Sequence, residues 1–63
     1  MIVEGDIVRL REPAQGEALV PAGTEGYVVY ANPQTIAVDV QVDGTPDHVL
    51  VHPDKVEFVR KSE

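Results

Sequence analysis

His48 and His52 are the only histidines in the chain, and both fall in the run DHVLVH. Imidazole ligates metals and moves protons near neutral pH, so this pair is the first candidate for chemistry. On one extended strand, residues four apart share a face but lie roughly 13 Å from each other. The two rings therefore cannot hold one metal ion between them. Each can pair with a nearby carboxylate, Asp47 or Asp54, and the expected role is that of exposed histidines at strand ends. A symmetric dimer that joins histidine pairs across its interface is the rival. The chain has no cysteine, which removes disulfides and thiolate-bound zinc.

Carboxylates are plentiful, but spacing singles none of them out. Glu25, Asp39 and Glu57 fall on the polar side of strands, where charged residues belong. A catalytic acid needs a pocket that shifts its pKa, and a very small barrel is filled by its own side chains. Thr24, Thr35, Thr45 and Ser62 sit in turns or the tail, with no base placed beside them. The stretch PAGTEGYVVYANPQ carries Gly23 and Gly26, which raises the idea of a phosphate cradle. Such a loop leads into a helix whose N-terminus holds the anion. Here it leads into YVVYA, a strand. Gly23 is assigned instead to a left-handed turn and Gly26 to a tight bend of the new strand. No catalytic residue, metal ligand or cofactor is assigned, and the expectation is a protein that is not an enzyme.

The elements follow from period-two alternation. Five strands are predicted, in GDIVRL, GYVVYA, TIAVDVQV, DHVLVH and KVEFVR. Residues 12–23 form a long first loop, in which Leu19 or Val20 folds back on the core as a lid. NPQT is a four-residue turn. Asp43-Gly44 is a hairpin signal, with Thr45 and Pro46 extending the loop beyond two residues. HPDK is a short 3₁₀ turn before the last strand. No window has a helical period. The inward set is Val3, Val8, Leu10, Val28, Tyr30, Ile36, Val38, Val40, Val49, Val51, Val56 and Phe58. Five short strands must curl to bury this set, which points to an all-β, five-stranded barrel as one domain over 1–63, with a frayed tail at 60–63.

A domain of sixty-three residues buries only about 60% of its unfolded surface, less than larger domains do, which leaves stability marginal. The net charge is −6, with five Lys and Arg against eleven Asp and Glu. A nucleic-acid binder needs its cations gathered on one face, so nucleic acid is disfavoured. Solubility is the first meaning of the charge, and attraction to a basic partner the second. No apolar run reaches the roughly 20 residues that span a bilayer. The opening MIVEGDIVRL lacks the basic segment of a signal peptide. The expected setting is the cytoplasm, without a membrane.

The series GDIVRL, PAGTEGYVVYA, IAVDVQV and VHPDKVEFV resembles the bacterial SH3-like barrels. The pattern looks most like a small family of uncharacterised bacterial proteins that share the corner glycines, here Gly23 and Gly26, and the alternating valines. It is similar, more distantly, to the small SH3-like protein of photosystem I and to the variable chain of ferredoxin–thioredoxin reductase. The resemblance implies an SH3-like fold and, by those photosynthetic relatives, contact with protein partners. This chain departs from them in having no clear basic face. It departs from eukaryotic SH3 domains in having no Trp and no aromatic-lined groove.

The expected function is that of a non-catalytic interaction or accessory subunit of a larger complex. Its interaction surface is assigned to Ile7, Leu19, Val20, Tyr27, Val29, Leu50 and Val59, with Ile2 beside them. The alternatives are a nucleic-acid- or ribosome-associated small barrel, a structural homo-oligomer, and an antitoxin or immunity-type partner.

Overall fold

A computed structural model describes residues 1–62 of the chain. It is all-β, without an α-helix among the described residues. β1 (Asp6–Leu10), β4 (Glu25–Ala31), β5 (Ile36–Val42), β6 (Thr45–Val51) and β7 (Val56–Lys61) form one antiparallel sheet. Between β1 and β4 lie β2 (Ala14–Gln15) and β3 (Leu19–Val20), paired only with each other, and a 3₁₀ turn at Pro53–Lys55 precedes β7. The strand order is β6-β5-β4-β1-β7, so β6 and β7 are open edges. The expected closed barrel is thus corrected to a five-stranded sheet with a separate two-stranded one. The long loop at 12–23 is corrected too, because its middle is a hairpin.

The inner face of the sheet and the β2–β3 hairpin together enclose an aliphatic core of Val8, Leu10, Val20, Val28, Ile36, Val38, Val40, Val49 and Val56. Valine and isoleucine suit this role, since β-branched side chains pack well on a pleated surface. Val20, expected on an interaction surface, is fully buried instead. The β2–β3 hairpin turns it onto the core while Leu19 points outward. Ile2 is also packed against the core.

Three members of the inward set are half-exposed, each for a separate reason. Val3 precedes β1 in a turn closed by the Asp6 N–H on the Val3 carbonyl, so no strand neighbour covers it. Tyr30 follows a β-bulge: Val28 pairs with Val38, yet Tyr30 pairs with Ala37, leaving Val29 as the extra residue. One inserted residue reverses the alternation, so Tyr30 faces out and Ala31, not Tyr30, packs on the core. Phe58 lies opposite Val8 but on the edge strand, where Lys61 Nζ sits 5.8 Å from its ring centroid. Val51 is half-buried against the core.

The turns carry local chemistry. Asp43 and Gly44 both have positive φ, 52° and 80°, and Val42 pairs directly with Thr45. This is a two-residue type I′ hairpin, whose twist matches its strands, so the longer loop expected there is absent. The strand simply continues through Pro46. A two-residue hairpin closes on a hydrogen-bonded pair, so Pro46, His48 and Leu50 turn their backbone groups away from β5. Proline at such a place loses no ladder bond. Asn32 Oδ1 accepts from the Gln34 and Thr35 N–H groups at 2.8 and 2.7 Å, closing the β4–β5 turn. Gly23 has φ +90°, as its left-handed turn demands. Gly26 is required by space: a Cβ there would stand 2.5 Å from Val38 Cγ1 and 2.6 Å from the Asp39 carbonyl oxygen.

Two carboxylates tie the ends and the hairpin down. Asp6, fully buried beside Val8, accepts from Lys61 Nζ at 2.7 Å and from the Val3 N–H at 3.0 Å. The Lys61 hydrogen bond holds its pKa below the ordinary 3.8, against the opposing pull of burial. Arg60 and Lys61 are therefore strand residues, not a frayed tail, and Ser62 donates its N–H to the Gly5 carbonyl at 3.0 Å. The last tail residue, at 63, lies outside the described residues. Asp47 accepts from the Glu17, Ala18 and His48 N–H groups at 3.0, 3.1 and 2.8 Å. These backbone bonds, Glu17 first, lower its pKa. The carboxylate clasps the hairpin tip to β6 at Gly16, where a Cβ would meet it at 2.6 Å.

Candidate functional site: the outer face of the sheet

Cross-strand register decides which outward residues are neighbours. Ile7 on β1 lies opposite Tyr27 on β4, with Arg60 of β7 on its other side. Tyr27 lies opposite Asp39 on β5, which lies opposite His48 on β6. One step along, Tyr30, Ala37 and Leu50 form a second row. The outer face thus carries a continuous apolar band, Ile7–Tyr27 joined through β4 to Tyr30–Ala37–Leu50. The Val29 bulge joins the two rows, for without it Tyr30 would point inward.

Of the residues assigned to an interaction surface, Ile7, Tyr27, Val29 and Leu50 come together in this band. Val59 lies at its β7 end, in a second irregularity between the Val8–Phe58 and Ile7–Arg60 pairs, and is half-buried. Leu19 stands apart on the β2–β3 hairpin opposite Gln15, and Val20 is in the core. Tyr30 and Ala37 belong to the band without having been expected there. The signal for Tyr30 is the run of four residues YVVY, which a strict alternation cannot seat on a single face. Asn32 Nδ2 donates to the Tyr30 hydroxyl at 3.0 Å and fixes its ring beside the turn.

The aromatic residues share one property. Tyr27, Tyr30 and Phe58 are the only aromatic side chains in the chain, and they are 43, 50 and 50% exposed. A large ring contributes most when buried, and a core without aromatics leaves about half of that surface outside.

Charge is distributed unevenly around the band. Toward β7, Arg9 bridges Glu25 at 3.0 Å and Glu57 at 3.7 Å, while Arg60 reaches Glu25 at 3.5 Å. Lys55 pairs with Glu12 at 3.1 Å, Lys61 with Asp6, and Arg11 Nε donates to the Val56 carbonyl. Every Lys and Arg is thus held by a partner within the chain. Toward β6 a shallow groove runs between Glu25, Tyr27, Asp39, Gln41, Pro46 and His48. It contains carboxylates and no Lys or Arg. The histidines divide between two places. His48 is on the outer face, while His52 has left the strand and accepts from the Asp54 N–H at 3.1 Å through Nδ1, capping the 3₁₀ turn. The expected shared strand face is therefore not formed. No group of three metal-ligating side chains occurs among the described residues.

An apolar crevice on another side is lined by Met1, Ile2, Val3, Ala31, Pro33 and Pro53. No helix among the described residues is long and apolar enough to cross a membrane. In comparisons with known proteins, no family model, curated protein or solved structure matches this chain.

Proposed function

We propose that this chain is an SH3-like interaction module, a non-catalytic accessory protein that docks on a protein partner through the outer face of its sheet. The observation that carries this is the apolar band Ile7–Tyr27–Tyr30–Ala37–Leu50, assembled from four strands by a bulge. Contiguous exposed apolar surface marks an interface, whereas scattered apolar residues do not. Aromatic residues are enriched at such surfaces. The strand order, the hairpin within the first loop and the 3₁₀ turn before the last strand favour an SH3-like arrangement.

The alternatives draw less support. Nucleic-acid binding needs free cations to displace counterions, and the five here are engaged within the chain. Pairing of β6 edges in a homo-oligomer is opposed by Pro46, which has no N–H, and by Asp47, whose carboxylate takes the His48 N–H.

Affinity isolation of the tagged chain from its native cell, run beside Leu50→Glu and Tyr30→Ser, tests the proposal. The expected result is a protein recovered with the wild type and lost with both variants, whose circular dichroism is unchanged. The same protein retained by both well-folded variants overturns it.

A further inference from the structure

We infer that the groove between Tyr27 and the β5–β6 hairpin receives an arginine from an extended segment of a partner protein, whose apolar side chains lie along Tyr30–Ala37–Leu50. This rests on the outer face being a docking surface and adds the chemistry of what docks there.

Asp39 is the centre of the argument. It is exposed in the middle of the sheet, in register between Tyr27 on one side and His48 on the other. Among the described residues no cation pairs with it. Of the groove's other carboxylates, Glu25 is matched by Arg9 and Arg60 and Asp47 by three backbone N–H groups, which leaves Asp39 as the carboxylate without a partner among the described residues. A carboxylate beside a half-exposed phenol ring fits a guanidinium. That group forks onto a carboxylate and stacks on an aromatic face, whereas an ammonium is a strongly hydrated point charge. The adjacent row is apolar, so the arriving segment must carry apolar side chains next to its cation. An extended chain presents alternate residues to one face and can supply both.

The charge of the whole chain selects the same occupant. A net charge of −6 attracts a basic segment and opposes a second copy of this chain or an anionic lipid surface.

The test is a titration of the isotope-labelled full chain, followed by amide NMR at low salt. The probe is a synthetic nine-residue peptide of alternating valine and arginine, with lysine-for-arginine and glutamate-for-arginine versions. The arginine peptide is expected to shift the amides of Tyr27, Asp39, His48 and Leu50. The lysine version binds several-fold more weakly and the glutamate version not at all. Asp39→Asn, with an otherwise native spectrum, weakens the arginine peptide about tenfold.

Equal binding by Asp39→Asn, equal binding of the arginine and lysine peptides, or shifts centred on the Ile2–Pro33 crevice each overturn the inference. Shifts of the same amides with protein concentration alone identify a second copy as the occupant and overturn it too. If the arginine peptide fails while Leu50→Glu still loses the native partner, this inference falls and the docking surface stands. If both fail, the docking surface falls with it.

Discussion

The two faces of the five-stranded sheet use opposite kinds of residue. The inner face holds six valines, one leucine and one isoleucine, with Val20 of the β2–β3 hairpin packed on them, all buried and none of them aromatic. The outer face holds both tyrosines, an exposed leucine and the ion pairs that Arg9 and Arg60 make with Glu25 and Glu57. Branched aliphatic side chains fill a thin core without needing partners for polar atoms. Tyrosine brings a hydroxyl that must be satisfied, and outside it can be: Tyr30 is held by Asn32. The difference teaches that folding draws on one face almost alone, leaving the other free to be shaped by what it meets.

That division is broken most severely at Gly26 and Ile36. Gly26→Ala puts a methyl group against Val38, Val40 and the Asp39 backbone, and is expected to lower stability by about 3 kcal/mol or prevent folding. Ile36→Ala opens a cavity in the fully buried inner face and costs about 2–5 kcal/mol. Urea unfolding midpoints measure both. A loss below about 1 kcal/mol at Ile36 would mean that the inner face is not the sole core.

Asp6 is the polar exception on the inner face. Asp6→Ala is expected to cost about 2 kcal/mol, since it leaves the Val3 N–H without its acceptor and Lys61 without its partner. The same group sets an acid dependence. Its folded pKa lies below the ordinary 3.8, so its contribution is complete above that value and is lost as pH falls through the lower folded value. Asp47 adds to this limb in the same direction. Thermal midpoints measured between neutral pH and about pH 2 should fall on the acid side, less steeply in Asp6→Asn.

A smaller, local effect is expected at the hairpin clasp. Asp47→Ala frees the Glu17 and Ala18 N–H groups, so their amide hydrogen exchange should accelerate while the core amides of Val38 and Val49 stay protected. Equal acceleration at Val38 would show that the clasp supports the whole sheet. The smallest effect belongs to the outer face. Leu50→Ser and Tyr30→Ser should change stability by no more than about 0.5 kcal/mol, which chemical denaturation can check. A loss like that of Ile36→Ala would erase the contrast between the faces.

Much of this was legible in the sequence. The alternation of IAVDVQV appears as β5, the residues HPDK contain the 3₁₀ turn, and Gly23 takes its left-handed turn. What escaped has a common physical origin in pairing between strands. A bulge depends on the partner's register, so nothing within GYVVYA alone says that Val29 is the extra residue. The β2–β3 hairpin is two residues on each side, too short for a period to show. Asp6 could have been found, because it stands in phase with Val8 and Leu10. Its charge alone gives no reason for burial, and the lysine that justifies it lies 55 residues away. The candidate site was legible in part: Ile7, Tyr27, Val29 and Leu50 were recognised as outward, but their adjacency is a property of the register.

The Ser62 N–H bonded to the Gly5 carbonyl has a use in protein engineering. It brings the first and last strands within one hydrogen bond of each other, next to the Asp6–Lys61 pair. A short linker from Ser62 to Gly5 can therefore close β7 onto β1, and new ends can be cut at Asp43–Gly44, where the tight turn leaves open space around Gly44. Such a circular permutant would keep the strand order while moving the chain's entry and exit to the far side of the sheet.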